Sequence, residues 1–214
     1  MGRSTTAQLI LLIALVLALA GALAGFAFVR SGIYDVGASR RHTKLTQWLT
    51  HETMNYSVRS HAKGISPPRW TGAQQLLAGY CAYETHCVAC HGAAAVAREQ
   101  WVNGLEPQPP YLLDVTREFT PAQLFWIVKH GIKMTGMPAW GESMSDADIW
   151  NVVAWIEASR DLPPQTYAQW RAERRCGVTG PPSPGPLSIP LRAPARPTAA
   201  TGGSAPSARA AARP

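Results

Sequence analysis

The sequence predicts an all-α protein, a small helical domain behind an N-terminal transmembrane helix. Residues 71–160 hold three stretches with apolar side chains at spacings of three and four, bounded by residues that start or stop helices. No stretch of useful length between them alternates apolar and polar residues as a half-buried strand does. In front lies Leu9–Val29, an apolar run without a charged or hydroxyl side chain. A length of 214 residues fits one domain of ordinary size with appendages.

Leu9–Val29, between Arg3 and Arg30, is helical in composition and spans roughly 30 Å at 1.5 Å per residue, the thickness of a hydrocarbon core. Residues 1–30 are therefore either an uncleaved anchor or a signal sequence with Ala-x-Ala triplets at Ala18–Ala20 and Ala22–Ala24. The length of the run favours the anchor, and either way the following segment is exported. More basic residues follow the span (Arg30, Arg40, Arg41, Lys44) than precede it, so charge alone would leave the C-terminal side in the cytoplasm.

Residues 31–70 form a juxtamembrane segment. After the turn-rich "SGIYDVGA", a helix is expected over Ser39–Ala62, with Leu45, Trp48 and Leu49 as a compact apolar face against lipid headgroups or the globular domain. "GISPPRW" ends it. The compact domain, residues 71–160, opens with a helix from Thr71 to about Cys87 that turns Leu76, Leu77, Tyr80 and Tyr83 inward. A second helix opens at Thr120 with Pro121 in its first turn, carries Leu124, Phe125, Ile127 and Val128, and stops at Gly131. A third opens at Ser145 with Asp146 and Asp148 in its first turn and buries Ile149, Val152, Val153 and Ile156, with Trp150 and Trp155 alongside. Residues 161–176 add a short helix with Tyr167 and Trp170. Residues 177–214 hold nine prolines, four arginines and no acid, too little apolar surface to offset the entropy of ordering, and are expected to be disordered.

The formal net charge of +7 belongs to the ends of the chain. Residues 71–160 carry five Lys/Arg against nine Asp/Glu, a net charge of about −4. A nucleic-acid-binding protein is excluded on that distribution, since the basic residues are not gathered on one folded module with interleaved aromatics.

Chemistry enters with Cys87, Cys90 and His91 in "CVACH". This is the C-x-x-C-H pattern of covalent haem c attachment. One helical turn lets the two thiols reach the two vinyl positions of a porphyrin as thioethers, and His91 is carried under the iron as an axial ligand. A structural zinc would need four ligands, and a thioredoxin-like dithiol would sit in a βα unit rather than after a helix. "GIKMTGMPAWG" offers Met134 and Met137 as a second axial ligand, a soft thioether that suits iron. Met54 and Met144 are read as core filler. His130, at the end of the second helix, is the rival ligand among the other histidines. Cys81 and Cys176 are left over, either free or paired in an oxidising compartment.

Gly79 and Tyr83, eight and four residues before Cys87, together with Trp155 in the last helix, resemble the crossing helices of class I monohaem cytochromes c. "TGMP" at Thr135–Pro138 resembles that family's axial-methionine loop, and the upstream span and juxtamembrane helix look like its membrane-anchored bacterial versions. The resemblance covers about residues 71–160. It implies three main helices around one covalent haem c, Met137 rather than Met134 as the sixth ligand, and a proline carbonyl, from Pro109 or Pro110, on the second nitrogen of His91. It implies a periplasm-facing domain on the inner membrane, against the charge rule, because such haems are attached on that side. The function implied is electron transfer between redox donor and acceptor proteins at the bilayer, as a carrier rather than an enzyme. The alternative is a haem enzyme or a gas- or peroxide-responsive haem protein with a labile sixth ligand. Trp126 and Trp140 are candidates for packing on the porphyrin or for ordinary core. The loop from Gly92 to Phe119 is longer than the tightest cytochromes require.

Overall fold

The computed structural model describes residues 2–112, 118–173 and 175–176. The described residues form helices and connecting turns, with no strand beyond the single bridge Ala93–Val96. The helices are α1 (Gly2–Ser31), α2 (Lys44–His61), α3 (Ala73–His86), α4 (Val88–His91), α5 (Pro121–His130), α6 (Asp146–Ser159) and α7 (Pro164–Ala172). Two short 3-10 turns, Gln100–Gly104 and Trp140–Glu142, lie in the loops. The tail after Cys176 falls outside the described residues.

Helix α1 is exposed along its apolar run and is long enough to cross a membrane over Thr5–Ser31. Helix α2 begins at Lys44, later than expected, because Thr43 is its N-cap and accepts from the Thr46 amide at 3.2 Å. Its apolar residues lie on two sides. Val58 and Ala62 are buried where its C-terminal end packs on α5, and the His61 ring lies tilted against Trp126 with centroids 5.4 Å apart. Leu45, Trp48 and Leu49 point outward, with exposures of 69%, 61% and 55%.

The domain is organised by the crossing of α3 and α6. A Cβ placed on Gly79 would meet the Asn151 carbonyl oxygen at 2.0 Å and the Trp155 Cβ at 2.8 Å, so only glycine allows the two backbones to come this close. Around the crossing, Tyr80 lies edge-on to Trp155 at 5.2 Å between centroids, to Tyr167 at 5.7 Å and to Trp170 at 5.3 Å. Edge-to-face contacts match the ring quadrupoles, so these rings add specific attraction to their apolar burial. Tyr167 and Trp170 bring α7 into the core shared by α3 and α6. Cys81 and Cys176 are joined in a disulfide with Cα atoms 5.2 Å apart, which ties the chain after α7 to α3.

Helices α5 and α6 both start as expected. Thr120 accepts from the Gln123 amide while Gln123 reaches back to the Thr120 amide, and Ser145 and Asp148 form the same reciprocal pair. Phe125 of α5 stacks on Trp150 of α6 at 4.2 Å, closing the core on that side.

Candidate haem site

Helix α3 stops at His86, and Cys87 turns the chain into the single turn of α4. The Cys90 amide donates to the Cys87 carbonyl at 3.1 Å and the His91 amide to the same carbonyl at 2.9 Å. All three motif residues therefore stand on one turn. Val88 is buried and roots that turn in the core, while Cys87, Cys90 and His91 are half-buried. Tyr83 locks the exit of the turn, its hydroxyl donating to the Gly92 carbonyl at 2.6 Å. Cys87 and Cys90 are not bonded to each other. Burial, with the neighbouring Cys90 second, pushes the Cys87 thiol up to about 12.

His91 Nδ1 lies 2.8 Å from the Pro110 carbonyl oxygen. A carbonyl only accepts, so Nδ1 is the donor and Nε2 is left with the lone pair a metal requires. Burial holds the imidazole below its ordinary pKa; the Pro110 bond opposes this and the charge of Arg98 adds to it. A neutral ring is the form that ligates. Of the two prolines named from the sequence, Pro110 makes this bond. Pro109 has a different partner: its carbonyl accepts from the Arg98 guanidinium, which also lies over the Tyr111 ring at 4.3 Å from the centroid. The role of Arg98 was not legible beforehand, because no local spacing connects residue 98 to the di-proline loop.

The methionine loop leaves α5 at Gly131, whose φ of +63° favours glycine and where a Cβ would meet the Pro138 carbonyl carbon and oxygen at 2.6 Å. The loop is folded back on itself. The Ile132 amide donates to the Met137 carbonyl at 3.3 Å, and the Thr135 hydroxyl donates to the Ile132 carbonyl at 2.7 Å and accepts from the Met137 amide at 3.1 Å. The two methionines are separated by this geometry. Met134 is 95% exposed, whereas Met137 is half-buried and packs against the same core as Cys87. His130 is exposed and its ring contacts Trp126 at 5.0 Å. Trp126 thus lies between two histidine rings, and Trp140 lies 4.8 Å from His86.

The residues fit a covalently held haem: two thiols on one turn, a neutral imidazole with its outer nitrogen already engaged, and a thioether turned toward the core. Among the described residues, no three His, Cys, Asp or Glu side chains are grouped as a cation site of another kind. The stretch that contains all of these features is a c-type cytochrome domain. Residues 74–156, under half of the chain, match the family described as "Cytochrome C oxidase, cbb3-type, subunit III". No curated protein and no solved structure matches the chain.

Proposed function

We propose that this protein is a membrane-tethered electron carrier, with one haem c bound through Cys87 and Cys90 and ligated by His91 and Met137. The observation that carries the reading is the His91 Nδ1–Pro110 bond within the C-x-x-C-H turn, which presents Nε2 alone as a ligand. The bound group supplies a one-electron Fe(III)/Fe(II) couple, and a histidine–methionine pair favours a high potential. Cys87 and Cys90 fix the group to the turn, and Pro110 fixes the orientation of the imidazole. The hydrogen-bonded loop around Thr135 fixes the Met137 backbone, from which its thioether would be offered to the iron. If His91 and Met137 both ligated the iron, no position would be left for substrate, which supports carrier over enzyme. The family description, which names an oxidase subunit, supports a place beside, or as a subunit of, a larger respiratory complex.

We further infer a single-pass protein of the inner membrane, with α1 as the uncleaved anchor and the domain of residues 71–160 facing the periplasm. An N-terminal epitope found in the soluble fraction would remove the anchor from this reading.

Met137→Ala tests the ligand. The purified ferric protein is expected to show the weak charge-transfer absorption of a methionine-ligated haem, and the variant to lose it and to bind carbon monoxide readily when reduced. Survival of the band in the variant sinks the assignment. Ready carbon monoxide binding by the unaltered ferrous protein at neutral pH favours the gas-responsive alternative.

A further inference from the structure

We propose that α2 is an interfacial helix that lies on the anionic lipid surface into which α1 is inserted, and so holds the cytochrome domain at a fixed attitude to the bilayer. This goes beyond electron transfer, rests on the reading of α1 as an uncleaved anchor, and does not depend on what ligates the iron.

Along Lys44–His61, residues 45, 48, 49, 52 and 56 recur at three and four and share one side of the helix. Residues 54, 58 and 62 recur at four and share another side, and this second side packs on the domain, with Val58 at 0% and Ala62 at 7% exposure. Apart from Arg59 of the same helix over the Tyr56 ring, the first side is left open among the described residues: Leu45, Trp48, Leu49 and Tyr56 are all more than half exposed. A domain-facing helix has no need of a second apolar side. An aliphatic and aromatic stripe containing Trp and Tyr is the composition that settles at a membrane–water boundary.

Three further observations select lipid as the occupant. Gly32–Thr43, the link between α1 and α2, is twelve residues long and reaches at most about 40 Å, so α2 stays near the membrane. Between residues 30 and 63 there are six Lys/Arg against Asp35 and Glu52, a balance complementary to anionic headgroups. Arg40 is paired with Asp35 at 3.3 Å, which leaves Arg41 and Lys44 leading into the exposed stripe, while Arg59 sits over the Tyr56 ring at 6.0 Å. Glu52 within the stripe keeps the helix at headgroup depth rather than deeper.

The test uses the full haem-loaded chain in lipid nanodiscs containing phosphatidylglycerol, with a nitroxide on Leu49→Cys and, as the comparison on the far side of the same helix, on His51→Cys. The expected result is a several-fold higher ratio of oxygen to nickel-chelate collisions at position 49 than at 51, falling when the discs contain only zwitterionic lipid. Equal access of the nickel chelate to both labels overturns the proposal, since the stripe then faces water. Shielding of position 49 from both reagents also overturns it, spin–spin broadening identifying a second copy as the occupant and its absence another protein surface. An equal ratio in both kinds of disc overturns the assignment to anionic lipid. Tyr56→Cys, two turns on, gives the same reading if Leu49→Cys does not fold.

Discussion

Gly79 and Arg98 show two ways in which one residue controls this site. At Gly79 the constraint is contact: an added methyl would stand 2.0 Å from the Asn151 carbonyl oxygen, and backbone cannot move aside as a flexible side chain does. Gly79→Ala is expected to cost at least about 3 kcal/mol, the upper end for overpacking, and to lower the melting temperature of the domain by roughly 10 °C or more. A thermal melt with an unchanged midpoint would contradict the crossing described. Arg98 acts at a distance of one residue from the ligand's partner. It holds the Pro109 carbonyl, and Pro110 holds His91. Loosening that strap weakens the Nδ1 hydrogen bond, makes the imidazole a poorer donor and favours the reduced state. Arg98→Lys, which keeps the positive charge near His91 but loses the guanidinium fork on the Pro109 carbonyl, is therefore expected to raise the midpoint potential by on the order of 40 mV, about 1 kcal/mol for one electron, with the methionine charge-transfer band retained. Redox titration of both proteins checks this; an unchanged potential means that Arg98 braces only the loop. Gly79 was legible in the sequence because its spacing to Cys87 is local, whereas the partner of Arg98 is set by the path of a loop.

Among the elements, the starts of α5 and α6 followed from their cap residues alone, since a Ser or Thr three residues before its reciprocal partner satisfies amides that no later packing needs to rescue. The apolar stripe of α2 was equally visible as a helix. Its environment was not, because periodicity reports which residues share a side and says nothing about what covers it. Helix α7 was visible as a short helix too, but its membership of the core depends on two rings, Tyr80 and Trp155, and on the carboxylate of Glu84, which accepts from the Tyr167 hydroxyl and pairs with Arg171 at 3.1 Å. The Cys81–Cys176 bond spans a sequence separation of 95, which a spacing argument cannot resolve. Cys176→Ser is expected to destabilise the domain by about 2–5 kcal/mol, with loss of protection beginning in α7. Hydrogen exchange that is unchanged in residues 164–172 would show that the rings hold the helix without the bond.

For the whole molecule, charge is divided between basic ends and an acidic domain, about −4 over residues 71–160 against +7 overall. Electron exchange of the reduced protein with a cationic partner is expected to slow as ionic strength rises from about 0.01 M to 0.15 M, where the screening length falls from roughly 30 Å to 8 Å. With an anionic partner the same change of salt should speed it. Stopped-flow oxidation by a basic and an acidic acceptor distinguishes the two, and identical salt slopes would show that the basic ends, not the domain, govern docking. This division was fully legible in the sequence. What lay beyond it was the placement of α2, which decides the surface of the domain that partners in the bilayer meet.

The disulfide also imposes an order on biosynthesis. Four cysteines allow six different single disulfides, and Cys81 is only six residues from Cys87. The bond found here is the one that leaves both motif thiols available, yet its second sulfur is the last of the four to emerge from an N-to-C synthesis. Until Cys176 arrives, an oxidant meets Cys81, Cys87 and Cys90 as three competing thiols, so the haem attachment proposed above and oxidation of this chain would draw on a shared pool, with Cys176 as the partner that takes Cys81 out of it.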